Sequence, residues 1–268
     1  MNKEIYIPQT AYLKNVIRSI WQIEGITLFQ NETIIPKGVV EIIFDFSESA
    51  AIQVELHNKF IHLPKCFING FNTCPIQLQL PKRQIFFSVQ FHPIAIKSLF
   101  DVPACEFANL TIDLTLINSS FNSLWHQLAE QKSFNQRVAV ICKWIEKTFI
   151  QVHPQEQLLS SFLENNNQPA LSVTELSKII GYSPRHLSRK LYELTAMNTE
   201  NVLLYKKYLH AVHLIHHTKL TLTEIAYQSN FADQSHFTKS FKSFAQINPN
   251  EYRQRKSFVQ GHIFENVR

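Results

Sequence analysis

Between Ile20 and Phe91, short runs of β-branched and aromatic residues follow one another: IWQIEGITLF, VVEIIFDF, AIQVEL, CFING, PIQLQL and QIFFSVQF. Turn-forming residues separate them at Pro36-Lys37-Gly38, Ser47-Glu48-Ser49, Gly70 and Pro81. This spacing predicts several short strands in a sandwich or small barrel. After His92-Pro93 the apolar spacing becomes helical, through Ile96, Leu99 and Phe100, then Phe121, Leu124, Trp125 and Leu128, then Val138, Ile141, Ile145 and Phe149. The front half is expected to be α+β, with most of its aromatics in the core and a pocket between its strands.

The back half is helical throughout and repeats itself. Thr174 to Tyr182 aligns without gaps on Thr223 to Phe231, and Leu187, Ser188, Arg189 and Leu191 then correspond to Phe237, Thr238, Lys239 and Phe241. Two copies suit a duplicated module better than a solenoid, which needs at least three stacked units. Ser172-x-x-Glu175 and Thr221-x-x-Glu224 are capping-box sequences that open a short helix in each copy. Gly181 and Asn230 should end those helices, because both tolerate the left-handed backbone of a tight turn. Ser183-Pro184 then reads as N-cap and first position of a second helix.

That second helix buries Leu187, Leu191 and Leu194 in copy one and Phe237, Phe241 and Phe244 in copy two. At 100° per residue its outer face carries Arg185, Ser188, Arg189 and Tyr192 in copy one, and Ser235, Thr238, Lys239 and Lys242 in copy two. A short helix, a tight turn and a helix with a cationic outer face form a helix-turn-helix, whose second helix can enter a major groove. Thr199 to His217 has helical spacing between the copies and would span roughly 28 Å. One turn of DNA is about 34 to 36 Å, so this helix can hold two readers in successive grooves.

The charge distribution agrees. Residues 1–160 hold thirteen Lys and Arg against thirteen Asp and Glu, whereas residues 161–268 hold thirteen against eight, the whole formal charge of +5. A polyanion partner is therefore expected for the back half. The chain has 268 residues, 18% of them charged, and 21 Phe, which excludes disorder for most of it. No run approaches the roughly 18 apolar residues of a spanning helix, and MNKEIYIPQT lacks a signal-peptide h-region, so a cytoplasmic protein without membrane contact is expected. Four cysteines without a C-x-x-C spacing read as free thiols.

The segments GYSPRHLSRKL (181–191), TEIAYQSNFADQSHFTKSFKSF (223–244) and NPNEYR (248–253) closely resemble the DNA-binding domain of the AraC/XylS family of transcriptional regulators. The front half resembles, more weakly, the cupin-like sensor portions of such regulators, through Trp21-Gln-Ile-Glu-Gly25, Ile35 to Ile43, Phe91-His-Pro and Leu99 to Pro103. The resemblance implies an α+β chain: a β-rich cupin-like domain with helices at its end (1–152), an all-α double helix-turn-helix domain (153–258) and a tail (259–268).

It implies base reading by Arg185, Ser188, Arg189, Gln234, Ser235 and Lys239, and phosphate contacts from Ser183, Lys206, Lys207, Thr238, Lys242 and Arg253. Double-stranded DNA, RNA polymerase, a small-molecule or protein effector and a second copy of the chain are the implied partners, with no cofactor. The sequence departs from the family at Ala196 and Gln246, where glycine is usual, so less sharply turned helix ends are expected there. Lys239 stands where Arg is more usual, and a lysine cannot make a bidentate fork.

Two other classes compete. A metal-dependent cupin enzyme would show His-x-His with a following Glu, and His57 to His62 has the wrong spacing. G-x-S-x-G, Walker and G-x-G-x-x-G signatures are absent. A protein-binding module with a helix-turn-helix fold would need apolar residues where Arg, Ser and Lys stand. His210, His213, His216 and His217 read as a surface cluster near DNA rather than a metal site, with protonation near pH 6 to 7 strengthening phosphate contact.

Overall fold

A computed structural model describes residues 2–47, 52–56, 59–148, 154–165 and 171–265. The inferred boundary at residues 152–153, most of the 165–169 stretch, Phe149, Glu48-Ser49 and His57 lie outside them. The chain opens with β1 (Asn2–Tyr6), α1 (Ala11–Lys14), β2 (Ile17–Ile26), β3 (Asn31–Ile34), β4 (Val40–Asp45) and β5 (Gln53–Leu56). It continues with β6 (Lys59–His62), β7 (Cys66–Asn69), β8 (Ile76–Gln79), β9 (Arg83–Phe91) and α2 (Pro93–Phe100). A 3₁₀ turn (Ala104–Phe107), β10 (Thr111–Asp113), α3 (Leu114–Ile117), α4 (Ser120–Ala129) and α5 (Phe134–Thr148) complete the front half.

The strands form two antiparallel sheets, ordered β1-β2-β9-β4-β7-β10 and, with a last strand β11 (His262–Glu265), β11-β3-β8-β5-β6. Central strands of the first sheet are buried on both faces, which is why QIFFSVQF and VVEIIFDF read as near-continuous apolar runs. One face of β9, with Phe87, Val89 and Phe91, packs under the helices, where Phe87 meets Phe134 of α5 at 6.1 Å between ring centroids. The other face carries Phe86, Ser88 and Gln90. Trp125 of α4 donates from its indole to the Asp45 carbonyl at 3.0 Å, and Arg137 of α5 donates to Gln22 Oε1 at 2.6 Å, fixing those helices on the sheet. Between the sheets, Ile52, Val54, Leu63, Phe67 and Phe86 form a separate small core beside a cavity.

The back half comprises α6 (Pro154–Glu164), α7 (Val173–Ile180), α8 (Pro184–Thr195), α9 (Thr199–His217), α10 (Leu222–Gln228), α11 (Gln234–Ala245) and α12 (Pro249–Arg255). It is docked on the front half. Tyr205 and Tyr208 of α9, both buried, donate to the carbonyls of Asn72 (2.9 Å) and Pro36 (3.3 Å). His92 at the start of α2 pairs with Glu164 of α6 at 2.6 Å. One buried cluster runs through both halves, from Leu13 to Ile263. The segment expected to be a tail instead supplies β11, which pairs with β3 in the register His262↔Ile34 to Glu265↔Asn31.

Candidate nucleic-acid interface

Each repeat is built as its caps dictate. Ser172 and Thr221 accept from the backbone N–H of Glu175 and Glu224, whose carboxylates accept in return from the cap N–H at 2.8 and 2.7 Å. These bonds hold both glutamates below the usual carboxylate pKa. Gly181 (φ 77°) ends α7, and Asn230 (φ 59°) turns the chain after α10. Ser183 caps α8 by accepting from the His186 N–H, and Asp233 caps α11 by accepting from the His236 N–H at 2.7 Å. Asn198 and Asn248 cap α9 and α12 in the same way.

The helix ends at Ala196 (φ 58°) and Gln246 (φ 57°) are fully left-handed, each with its N–H on the carbonyl four residues back. The expected loosening is absent: these turns are as tight as glycine would make them, with non-glycine residues carrying the steric cost.

Leu187, Leu191, Phe237 and Phe241 are buried, Leu194 and Phe244 partly so. The inner face of α8 lies against α9 and the 3₁₀ turn of the front half. Arg185, Arg189 and Tyr192 on α8 and Gln234, Ser235, Lys239 and Lys242 on α11 are exposed, while Ser188 and Thr238 are half-buried. Docking of the front half thus leaves both cationic faces open. Arg189 projects into solvent with only long contacts of its own. Its guanidinium lies 3.5 Å from His186 Nε2 and 3.9 Å from Glu193, and the His186 ring stacks on Tyr182 at 4.2 Å. Sequence reasoning passed over His186, although its place one turn before Arg189 is the available signal.

Other predicted residues have structural partners. Gln234 accepts from the Thr223 hydroxyl at 2.6 Å, tying α11 to α10, and the Thr238 hydroxyl donates back to the Gln234 carbonyl at 2.8 Å. Lys207 donates to the Asn230 carbonyl at 2.7 Å and Arg253 to that of Leu220 at 2.8 Å, bracing the second unit. Lys206 is turned inward: it donates to the carbonyls of Phe162 and Asn165 and so caps α6, and burial brings its pKa down to about 8. An ammonium so placed does not face a duplex, and Lys206 leaves the phosphate set.

The histidine cluster also has another address. His217 meets Gln260 at 2.9 Å, and burial pushes His210 and His216 below the ordinary histidine pKa. The cluster therefore abuts the segment leading into β11. Among the described residues, no three metal-ligating side chains converge.

Between the sheets lies a cavity of about 490 Å³ lined mostly by apolar side chains. Glu41 of β4, 4% exposed, sits in it and accepts from Trp21 Nε1 (2.7 Å), Ser88 Oγ (2.8 Å) and Gln90 Nε2 (3.0 Å). Burial pushes its carboxyl pKa up, but Lys37 and these donors outweigh that and leave it below the usual value. Glu41 carries no sequence motif; its only signal is a charged residue inside the apolar run VVEIIF.

Two capped helix-turn-helix units joined by α9 are thus docked on a two-sheet domain. Residues 176–255 match a helix-turn-helix domain family, and residues 5–113 match a domain of unknown function, DUF6597. An uncharacterized HTH-type transcriptional regulator of Staphylococcus aureus strain MSSA476 is 26% identical over 200 residues, covering 66% of this chain and 26% of that protein. The chain thus spans about a quarter of that relative's length. The HTH-type transcriptional activator RhaS of Enterobacter sp. strain 638 is 30% identical over 96 residues, 36% of this chain and 34% of the relative. The crystal structure of ToxT from Vibrio cholerae O395 aligns over 96% of this chain and 99% of its own, at 14% identity and a TM-score of 0.49. Residues 176–255 therefore carry a helix-turn-helix domain. The Staphylococcus aureus and Enterobacter relatives both carry the name of HTH-type transcriptional regulators, the second an activator. No helix among the described residues is long and apolar enough to cross a membrane.

Proposed function

We propose that this chain binds a specific double-stranded DNA sequence with α8 and α11 in successive major grooves and regulates transcription from there. One observation carries the reading: two capped helix-turn-helix units, joined by the 19-residue α9, keep their cationic outer faces exposed while the front half packs on their inner side. Arg185, Ser188 and Arg189 read bases from α8, and Gln234, Ser235 and Lys239 from α11. Gln234 must release Thr223 to present both ends of its amide to adenine. Ser183, Lys207, Thr238, Lys242 and Arg253 contact phosphates. These contacts supply salt-dependent affinity, and the base contacts supply choice.

Selection of bound duplexes from a random pool with the full chain, followed by a salt titration on the winner, tests this. Two short enriched blocks about one helical turn apart are expected. Binding without enrichment, governed by salt alone, would refute sequence-specific reading.

The front half is the effector domain in this reading, with the inter-sheet cavity as its ligand site. A cavity of about 490 Å³ with few polar groups has the size and character of small-molecule sites. A homodimer and contact with RNA polymerase complete the reading, supported by the resemblance. Sedimentation equilibrium checks the first, and transcription with purified polymerase the second.

A further inference from the structure

The polar end of the cavity is chemically incomplete. All three donors to Glu41 converge on Oε1, and among the described residues no cation comes within ion-pairing distance, so Oε2 keeps its acceptor capacity. Lys37, half-buried on the same wall, meets His262 Nε2 at 3.1 Å with one of its three donors. The His262 Nδ1 side faces Glu32 at 2.5 Å. An open carboxylate oxygen and an ammonium with donors to spare call for a head group that both donates and accepts.

Charge narrows the head further. Glu41 and Lys37 offset each other. The Lys37 ammonium donates to His262 Nε2, which therefore accepts, and the Nδ1–H donates to Glu32, so His262 is neutral in this arrangement and the site sets two carboxyl groups against one ammonium. An anionic head would meet that surplus in a poorly solvated site. The remaining cation on the lining, Lys3, is exposed.

The third observation concerns the wall. Phe258, Val259, Gln260, His262 and Phe264 line the cavity, and all come from the segment that follows α12. That segment is tied to the reader domain: the Gly261 N–H donates to Tyr252 Oη at 2.9 Å, and the Tyr252 ring lies 5.9 Å from Phe241 of α11. It is held on the front half by the short β3–β11 ladder, the Ile35 N–H on the Gly261 carbonyl, Ile263 in the shared core, the Phe29–Phe264 stack at 5.2 Å and His262.

We infer that the cavity takes a neutral molecule with an apolar body and an alcohol-type head, donating to Glu41 and accepting from Lys37, with β11 as a wall that docks more firmly when the site is filled. The inference rests on the effector reading of the front half and deepens it. A ligand touching β11 and both sheets gains contacts only when β11 is docked, so it favours that state by its differential affinity. By linkage, docking favours the ligand equally.

The full chain titrated with 1-pyrenemethanol, 1-pyrenecarboxylate and pyrene, followed by pyrene emission, tests the head group. The alcohol is expected to bind roughly tenfold or more tightly than the carboxylate, the scale of a hydrogen bond to a charged group. Glu41→Gln should shrink that preference. Hydrogen exchange of the β11 amides tests the wall without any variant: saturation with the alcohol should slow exchange by the same factor or more. A tighter carboxylate, or equal binding of all three, overturns the head-group assignment and leaves the effector reading standing. Preference for the alcohol with unchanged β11 exchange overturns the wall. Binding of none of the three removes this inference and the effector reading together.

Discussion

In the proposed reading, Arg189 and Lys242 represent the two kinds of contact that a duplex offers. Arg189 is exposed on α8, within 3.5 Å of His186 and 3.9 Å of Glu193, and a guanidinium fork suits the two acceptors of a guanine edge. Arg189→Ala should cost about 1 to 3 kcal/mol at the preferred site and relax base choice at one position. Lys242→Ala should weaken all duplexes alike and reduce the salt slope by about one. Competition binding on specific and random duplexes across a salt series checks both, and a uniform loss for Arg189→Ala would make it a phosphate contact.

The left-handed Ala196 and Gln246 give a second expectation at this scale. A Cβ at positive φ costs roughly 1 to 2 kcal/mol, and glycine returns part of that gain as chain entropy. Ala196→Gly and Gln246→Gly should therefore each stabilise the chain by about 0.5 to 1 kcal/mol, read as a higher midpoint in urea. A lower midpoint would mean that those side chains hold more than the turn geometry shows.

Among elements, the capping boxes decide where the reader begins. Thr221 is exposed and its work is local, so Thr221→Ala should cost about 1 kcal/mol through the lost cap, with DNA contacts otherwise intact. Urea melts of the variant measure this; no change in midpoint would mean that packing alone sets the start of α10.

The helices of the back half were legible because caps and 3.6-residue spacing are local signals, present at Ser172, Gly181, Ser183, Thr221 and Asn230. β4 and β9 were legible as apolar runs. β3 (NETI) and β11 (HIFE) were not, since a four-residue edge or near-edge strand owes its place to a ladder with a distant partner, here 230 residues apart for Glu32 and His262. The left-handed ends were misjudged for a related reason: tertiary packing of α9 and α12 enforces the turn whichever residue occupies it. The outer faces of α8 and α11 followed from periodicity. A pocket between the strands was foreseeable, but its polar end was not, because Trp21, Glu41, Gln90 and His262 meet only after four strands are assembled.

At the scale of the molecule, the two halves are packed as one body. Gly38 shows how closely: at φ 70° its α-carbon lies so near α9 that an added Cβ would stand 2.9 Å from Leu209 Cδ1. The carbonyls of Pro36 and Asn72 receive the hydroxyls of Tyr208 and Tyr205, whose rings also meet Phe241 and Phe244 of the second recognition helix. Separation of the halves would expose the apolar area around these rings and exchange both hydrogen bonds for bonds to water, so the exposed apolar area is the main cost. The front half and the double reader should therefore unfold together. Scanning calorimetry of the full chain is expected to give one endotherm, with calorimetric and van't Hoff enthalpies equal. Gly38→Ala should lower its midpoint by adding a left-handed Cβ at the seam, and should broaden or split the endotherm as coupling weakens. Two resolved endotherms in the unmodified chain would show that the shared core couples the halves too weakly for a cavity event to reach α11 through packing alone.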